Sequence, residues 1–107
     1  MTTFDDRQRS EESKFQHDQE LRFRVRNRRN KLFGLWVARE HLRLPEAEQS
    51  DYAKAVVMAD FEQPGDEDVI RKVRADLLSK GINLSEHVLH RHLTELEAMA
   101  KTQIMAE

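Results

Sequence analysis

Two histidines three residues apart, His87 and His90, share one face if their segment is helical and could offer two imidazole nitrogens to a metal ion. A metal site needs a third and a fourth ligand, and no H-E-x-x-H or E-x-x-H element supplies them. No metal is therefore expected. His17, His41 and His92 complete the set, and each imidazole titrates near neutrality, so pH sensitivity is the simpler expectation. Asp66, Glu67 and Asp68 could pass for a carboxylate cluster, but at a helix start they suit capping and the positive end of the helix dipole. The three glycines, Gly34, Gly65 and Gly81, are too dispersed to form a phosphate-cradling loop. Cysteine is absent, which excludes disulfides, thiolate ligands and cysteine catalysis. An enzyme is not expected.

The third chemistry is phosphate binding. Arg22, Arg24, Arg26, Arg28, Arg29 and Lys31 place six basic residues in ten positions, a pattern used by arginine-rich RNA binders. Against it stands a pI of about 6.2, far below the basic values of nucleic-acid modules. A nucleic-acid-binding helical module is the alternative reading, and the solvated, partly neutralised face of a helix is the preferred one. Charge is segmented in a way that favours neutralisation: residues 21–43 sum to +7 and residues 44–70 to −7. Packed together, these two stretches would cancel much of each other's field.

These residues need elements to position them, and the apolar spacing supplies four helices, at about 19–43, 45–62, 66–80 and 85–105. The first carries Leu21, Val25, Leu32, Leu35, Trp36 and Leu42, with Phe33, Val37 and Leu44 widening the stripe. Arg22, Arg24, Arg26 and Arg29 point mostly away from that stripe, and Gly34 implies close packing near Trp36. Pro45 suits a first helical position for the second helix, whose row is Tyr52, Val56 and Ala59 beside Ala53, Val57 and Phe61. Gln63, Pro64 and Gly65 end it, and Asp66 is read as the N-cap of the third helix, with Ile70, Val73 and Leu77 inward and Val69 and Leu78 flanking. Gly81 stops that helix. Ser85 caps the fourth, with Leu84 and Leu89 as a hydrophobic staple and Leu89, Leu93, Leu96, Ala100 and Ile104 as its inward row. Short connections favour antiparallel neighbours, so the fold class is all-α, a small four-helix bundle over residues 19–107 with a mobile N-terminal arm over 1–18.

The arm is polar apart from two rings. Phe4 and Phe15 lie eleven residues apart, about three turns, which would bring them within roughly 20° on a helix. Alone the segment buries too little to offset its ordering entropy; in a partner's groove it could become a helix with two aromatic anchors. No apolar run reaches the roughly 20 residues of a membrane helix, and Asp5 and Asp6 come too early for a signal peptide, so the expected location is cytoplasmic.

Thr3-Phe4-Asp5-Asp6-Arg7, then Lys14-Phe15-Gln16-His17-Asp18 and Arg28-Arg29-Asn30-Lys31-Leu32-Phe33-Gly34-Leu35-Trp36, resemble the zeta-subunit family of ATP synthase inhibitors from alphaproteobacteria. The resemblance is strongest over Ala59-Asp60-Phe61-Glu62-Gln63-Pro64-Gly65-Asp66-Glu67-Asp68-Val69 and continues through Arg71-Lys72-Val73-Arg74-Ala75-Asp76-Leu77, Ser85-Glu86-His87 and Gln103-Ile104-Met105. It implies a four-helix bundle whose arm becomes helical inside a catalytic interface of the F-type ATP synthase head, among the alpha, beta and gamma subunits, and blocks ATP hydrolysis. Carried over by position, the partner-binding residues would be Phe4, Asp5, Asp6, Arg7, Lys14, Phe15, His17 and Asp18. Family members often have an aromatic residue where this chain has Glu11, and acidic or small residues in place of Arg24 and Arg26. A nucleotide-binding role is also associated with the family, with no residue here to assign to it; no cofactor is otherwise expected.

Overall fold

A computed structural model describes residues 3–62 and 65–107, with side chains from Asp18 onward. The side chains of Phe4, Asp5, Asp6, Arg7, Lys14, Phe15 and His17 lie outside the described residues, as do Gln63 and Pro64, and so does the expected mobility of the arm. Four α-helices make up the fold: α1 (Thr3–Trp36), α2 (Glu46–Glu62), α3 (Asp66–Ser79) and α4 (Glu86–Met105), with no strand among the described residues.

Side-chain pairs fix the topology. Along α1, Arg26 meets Asp60 while an added Cβ on Gly34 would meet Ala53, so α2 runs antiparallel to it. Arg28 meets Gln103 and Trp36 meets His92, so α4 does the same. Tyr52 donates to Asp76, and Arg74 donates to Glu86, which closes the square with α3 between α2 and α4. The result is an up-down-up-down bundle in which α1 is flanked by two helices.

Local chemistry explains the boundaries. Ser85 accepts from the Val88 amide and starts α4, as its side chain predicts. At the end of α3, Gly81 takes a positive φ of 77°, and the Gly81 and Ile82 amides close on Leu78 and Leu77. These are the two bonds of a Schellman stop, where a Cβ would be strained. Gly34 is required for approach: a Cβ there would sit 2.7 Å from the Ala53 Cα. The close packing expected near Trp36 is thus the α1–α2 crossing.

Three boundary expectations are corrected. The first helix does not run regularly to about residue 43: α1 gives way to a π-helical turn, Val37–His41, and Leu42 N–H bonds Val37 O. Leu44 N–H then reaches back to Ala38 O, with Arg43 at φ 51°, a helix stop one residue wider than that of α3. Pro45 sits just before α2, its carbonyl accepting from Glu48 and Gln49, and is not a first helical residue. Gly65, not Asp66, precedes α3 as its cap residue, because the Asp66 carboxylate is engaged by α1 arginines.

The core comprises Phe33, Val37, Val56, Val69, Ile70, Val73, Leu77, Leu89, Leu93 and Leu96. The inward rows expected for α3 and α4 are buried, although the flanking Leu78 is half-exposed. At the end of α1 and in the turn after it the expected centre is displaced by one residue: Leu32, Leu35 and Trp36 are half-buried, and Phe33, Val37 and Ala38 are buried. On α2 the buried row is Ala53, Val56 and Asp60, while Phe61 is exposed and its ring packs beside Phe23, with centroids 5.6 Å apart.

Candidate functional site

Because α1 lies between α2 and α4, much of its circumference is enclosed, and the arginine run cannot all face water. Arg29, expected to point outward, is 3% exposed. Its Nε and Nη2 donate to Asn30 Oδ1 at 3.1 and 3.0 Å, and Nη2 also donates to Asp66 Oδ1 at 2.9 Å. Arg26 makes a bidentate pair with Asp60, Nε to Oδ2 at 2.6 Å and Nη2 to Oδ1 at 2.8 Å. Asn30 Nδ2 adds a third bond to Asp60 at 3.0 Å and the Gly65 amide a fourth at 3.2 Å. Buried charges survive where they are paired and hydrogen-bonded, and every partner here is.

The direction of ionisation follows. The Arg26 guanidinium holds the Asp60 carboxyl below the usual carboxylate range, outweighing the opposing effect of burial, with Gly65 and Asn30 adding to it. The same pair raises Arg26 above its ordinary value. A carboxylate with four donors has no capacity left to act as a base, so this cluster is a brace. It joins α1, the end of α2 and the start of α3.

A second group lies on α4. The His92 ring stacks on Trp36 with centroids 3.8 Å apart, and His41, from the π-helical turn, meets the same indole edge-on at 4.7 Å. Burial lowers the His92 pKa, Glu95 opposes that, and His41 and Arg91 reinforce it. His90 faces Glu67 at 3.4 Å, and no three potential metal ligands converge among the described residues.

The third group is a cleft of about 340 Å³ between α1, α2 and the end of α4, lined by Arg24, Asn27, Arg28, Lys31, Val57, Ile104 and Glu107. Arg24 Nη2 reaches Glu107 Oε2 and Arg28 Nη2 reaches Glu107 Oε1, each at 2.7 Å. These arginines, Arg28 foremost, hold the Glu107 carboxyl below its ordinary value. The mutual neutralisation anticipated for residues 21–43 and 44–70 is therefore real for Arg26 and Arg29. It is completed for Arg24 and Arg28 by a residue from a different segment.

Of the partner-binding residues suggested by position, Asp18 alone has a described side chain, and it is exposed on α1. Asp60 and Asn30 carry structural roles that the residue pattern had not suggested. A signal existed for Asp60, which continues the Ala53–Val56 row by one turn, but its charge argued against burial. The sequence model of the family described as ATPase inhibitor subunit zeta matches residues 1–103, arm and bundle together. The chain belongs to that family. No curated protein and no solved structure matches it. In this zeta-family chain the charged brace begins on α1 eight residues beyond Asp18, and no described helix is long and apolar enough to cross a membrane.

Proposed function

We propose that this chain is a non-catalytic inhibitor of F-type ATP synthase, acting at the cytoplasmic face of the enzyme. Its N-terminal arm, residues 1–18, folds as a helix within a catalytic interface of the head, between alpha and beta subunits and close to gamma, and blocks ATP hydrolysis. The observation that carries this reading is the family match, which extends through the arm as well as the bundle. The fold supports it, since α1 begins at Thr3 and the arm and the bundle share one helix. Phe4 and Phe15 would anchor the arm, Asp5, Asp6, Arg7, Lys14, His17 and Asp18 would meet polar groups of the interface, and no cofactor is called for. The brace would hold α1 to the bundle, so that the inserted arm cannot slide without carrying three helices with it.

Nucleic-acid binding gains no support from the structure. Arg24, Arg26, Arg28 and Arg29 each pair with a carboxylate of the same chain, which removes much of the field a phosphate backbone would need. The deciding experiment is ATP hydrolysis by the isolated cognate synthase head, titrated with the full chain and with a variant lacking residues 1–18. The full chain should inhibit and the truncated one should not. Unchanged hydrolysis at saturating protein, with no complex on gel filtration, would end the proposal.

A further inference from the structure

Among the described residues, four arginines of α1 pair with carboxylates, and they fall into two classes. Arg26 and Arg29 are matched to Asp60 and Asp66, which are held in the body of the fold at the α2–α3 junction. Arg24 and Arg28 are matched to Glu107, which lies beyond the end of α4 at Met105 and is itself half-exposed. The first class is anchored at both ends within packed helices, Asp60 on α2 and Asp66 at the first residue of α3. Release of the second needs a shift only of the residues past Met105, which are held by the two ion pairs and by backbone bonds from Ala106 N to Thr102 O and from Glu107 N to Ile104 O, each 3.2 Å.

The shape of the second site is that of a receptor for a carboxylate. Two guanidinium groups, one helical turn apart, address the two oxygens of one carboxylate at 2.7 Å each. Lys31, a further turn along the same face and exposed, adds a third cation to the wall, and the half-buried Val57 contributes apolar surface above the buried Ile104. Such a cleft fits an acidic side chain next to an apolar one, as on a protein. A polynucleotide would meet only these three cations here, few for an interaction driven by phosphate neutralisation.

We propose that this cleft is a docking site for an acidic segment of the ATPase head, occupied in the free protein by the chain's own Glu107. The assignment of that partner rests on the function proposed above. Distance supports it: Arg24 lies six residues beyond Asp18 on α1, about 9 Å along the helix, so a head that grips the arm has its surface at the cleft. Glu107 then acts as a latch, and exchange of its carboxylate for one from the partner keeps both arginines paired throughout.

The test uses the full chain, a fluorescent peptide of alternating glutamate and leucine, and the isolated head. Glu107→Gln should bind the peptide about threefold to tenfold more tightly than the parent, as expected for release of two partly exposed ion pairs. Arg24→Gln combined with Arg28→Gln should lose peptide binding while keeping the parent's circular dichroism. The same order should appear in affinity for the head at low salt, with the arginine variant weakened about tenfold or more. Equal peptide binding by all three proteins overturns the cleft, and so does preferential capture of a labelled oligouridylate. A head inhibited equally by parent and arginine variant overturns the cleft and leaves the proposed function standing. A head that ignores the parent overturns the proposed function and the choice of partner together.

Discussion

Replacing Asp60 with asparagine keeps the shape of the side chain and removes its charge at the point where two Arg26 bonds, one Asn30 bond and the Gly65 amide converge. The new amide would direct N–H groups toward donors, and Arg26 would lose its counter-ion. Breaking a buried ion pair costs about 3–5 kcal/mol. The Arg26 side chain remains 38% exposed and can recover some hydration, so the cost here is discounted to about 2–4 kcal/mol. At roughly 4–8 °C per kcal/mol for a domain near this size, Tm should fall by at least about 8 °C. Urea and thermal melts followed by circular dichroism would measure it, with an unchanged urea slope showing that the bundle itself is retained.

The pH dependence gives this prediction a second edge. Asp60 is held below its ordinary value in the folded state, chiefly by Arg26. Its contribution is therefore complete above the unfolded carboxyl value of about 3.9 and is lost as pH falls through the lower folded value. The gap between parent and Asp60→Asn should close in that acidic window and stay constant above it. A combined Arg26→Met and Asp60→Leu variant should recover part of the loss, because apolar replacement of both partners removes the unpaired charge. Recovery should be incomplete, since the buried Asn30 amide still lacks its acceptor. A Tm for Asp60→Asn within about 2 °C of the parent at neutral pH, or a gap that does not change with pH, would refute the reasoning.

Gly34→Ala should destabilise the bundle by about 1–2 kcal/mol on denaturant melts, because overpacking against the Ala53 backbone exceeds the gain in helix propensity. Burial holds His92 below its ordinary pKa, so its stabilising contribution is present above the unfolded value of about 6.5 and is lost as pH falls through the folded one. Fluorescence of Trp36, the single tryptophan, should change over that window, and His92→Gln should flatten the profile. Phe15→Ala should weaken inhibition of the synthase head about tenfold to a hundredfold, from the roughly 1.5–3 kcal/mol that burying a phenylalanine returns. Glu11→Phe should strengthen inhibition, and inhibition constants for the two variants test both expectations.

Where side chains follow one rule, the structure was legible in advance. Leu89, Leu93, Leu96, Ala100 and Ile104 are an uninterrupted apolar row on α4, and all five are buried. Ser85 and Gly81 mark boundaries through chemistry local to a few residues. The face of α1 was misjudged because its burial is a tertiary property. Flanked on two sides, that helix encloses Arg29 and Asn30, whose types argue for exposure until Asp60 and Asp66 are brought to them. The opposed +7 and −7 charges of consecutive segments were the visible trace of that brace, but charge totals do not say which arginine meets which carboxylate. The π-helical turn at Val37–His41, closed by Leu42 N–H on Val37 O and followed by Leu44 reaching Ala38 with Arg43 at positive φ, carries no glycine or other residue type that would mark it. Of the carboxylate cleft, Arg24 and Arg28 stood out by type, and Glu107 acquires its role through α1–α4 packing.

The polar brace also bears on what kind of inhibitor this fold can be. Apolar contact is non-directional, so a helix packed by leucines alone has its register set by shape complementarity and by no specific bond. A bidentate Arg26–Asp60 pair cannot follow even one turn of slippage, about 5.4 Å, without being broken. Arg29, bonded to Asn30 and Asp66, sets the same limit from the next position along α1. On the function proposed above, force applied along the inserted arm would act in the direction these bonds resist. A row of aliphatic residues at positions 26, 29 and 30 could stabilise the bundle as well, but would leave the register to the Gly34–Ala53 crossing and the packing around it.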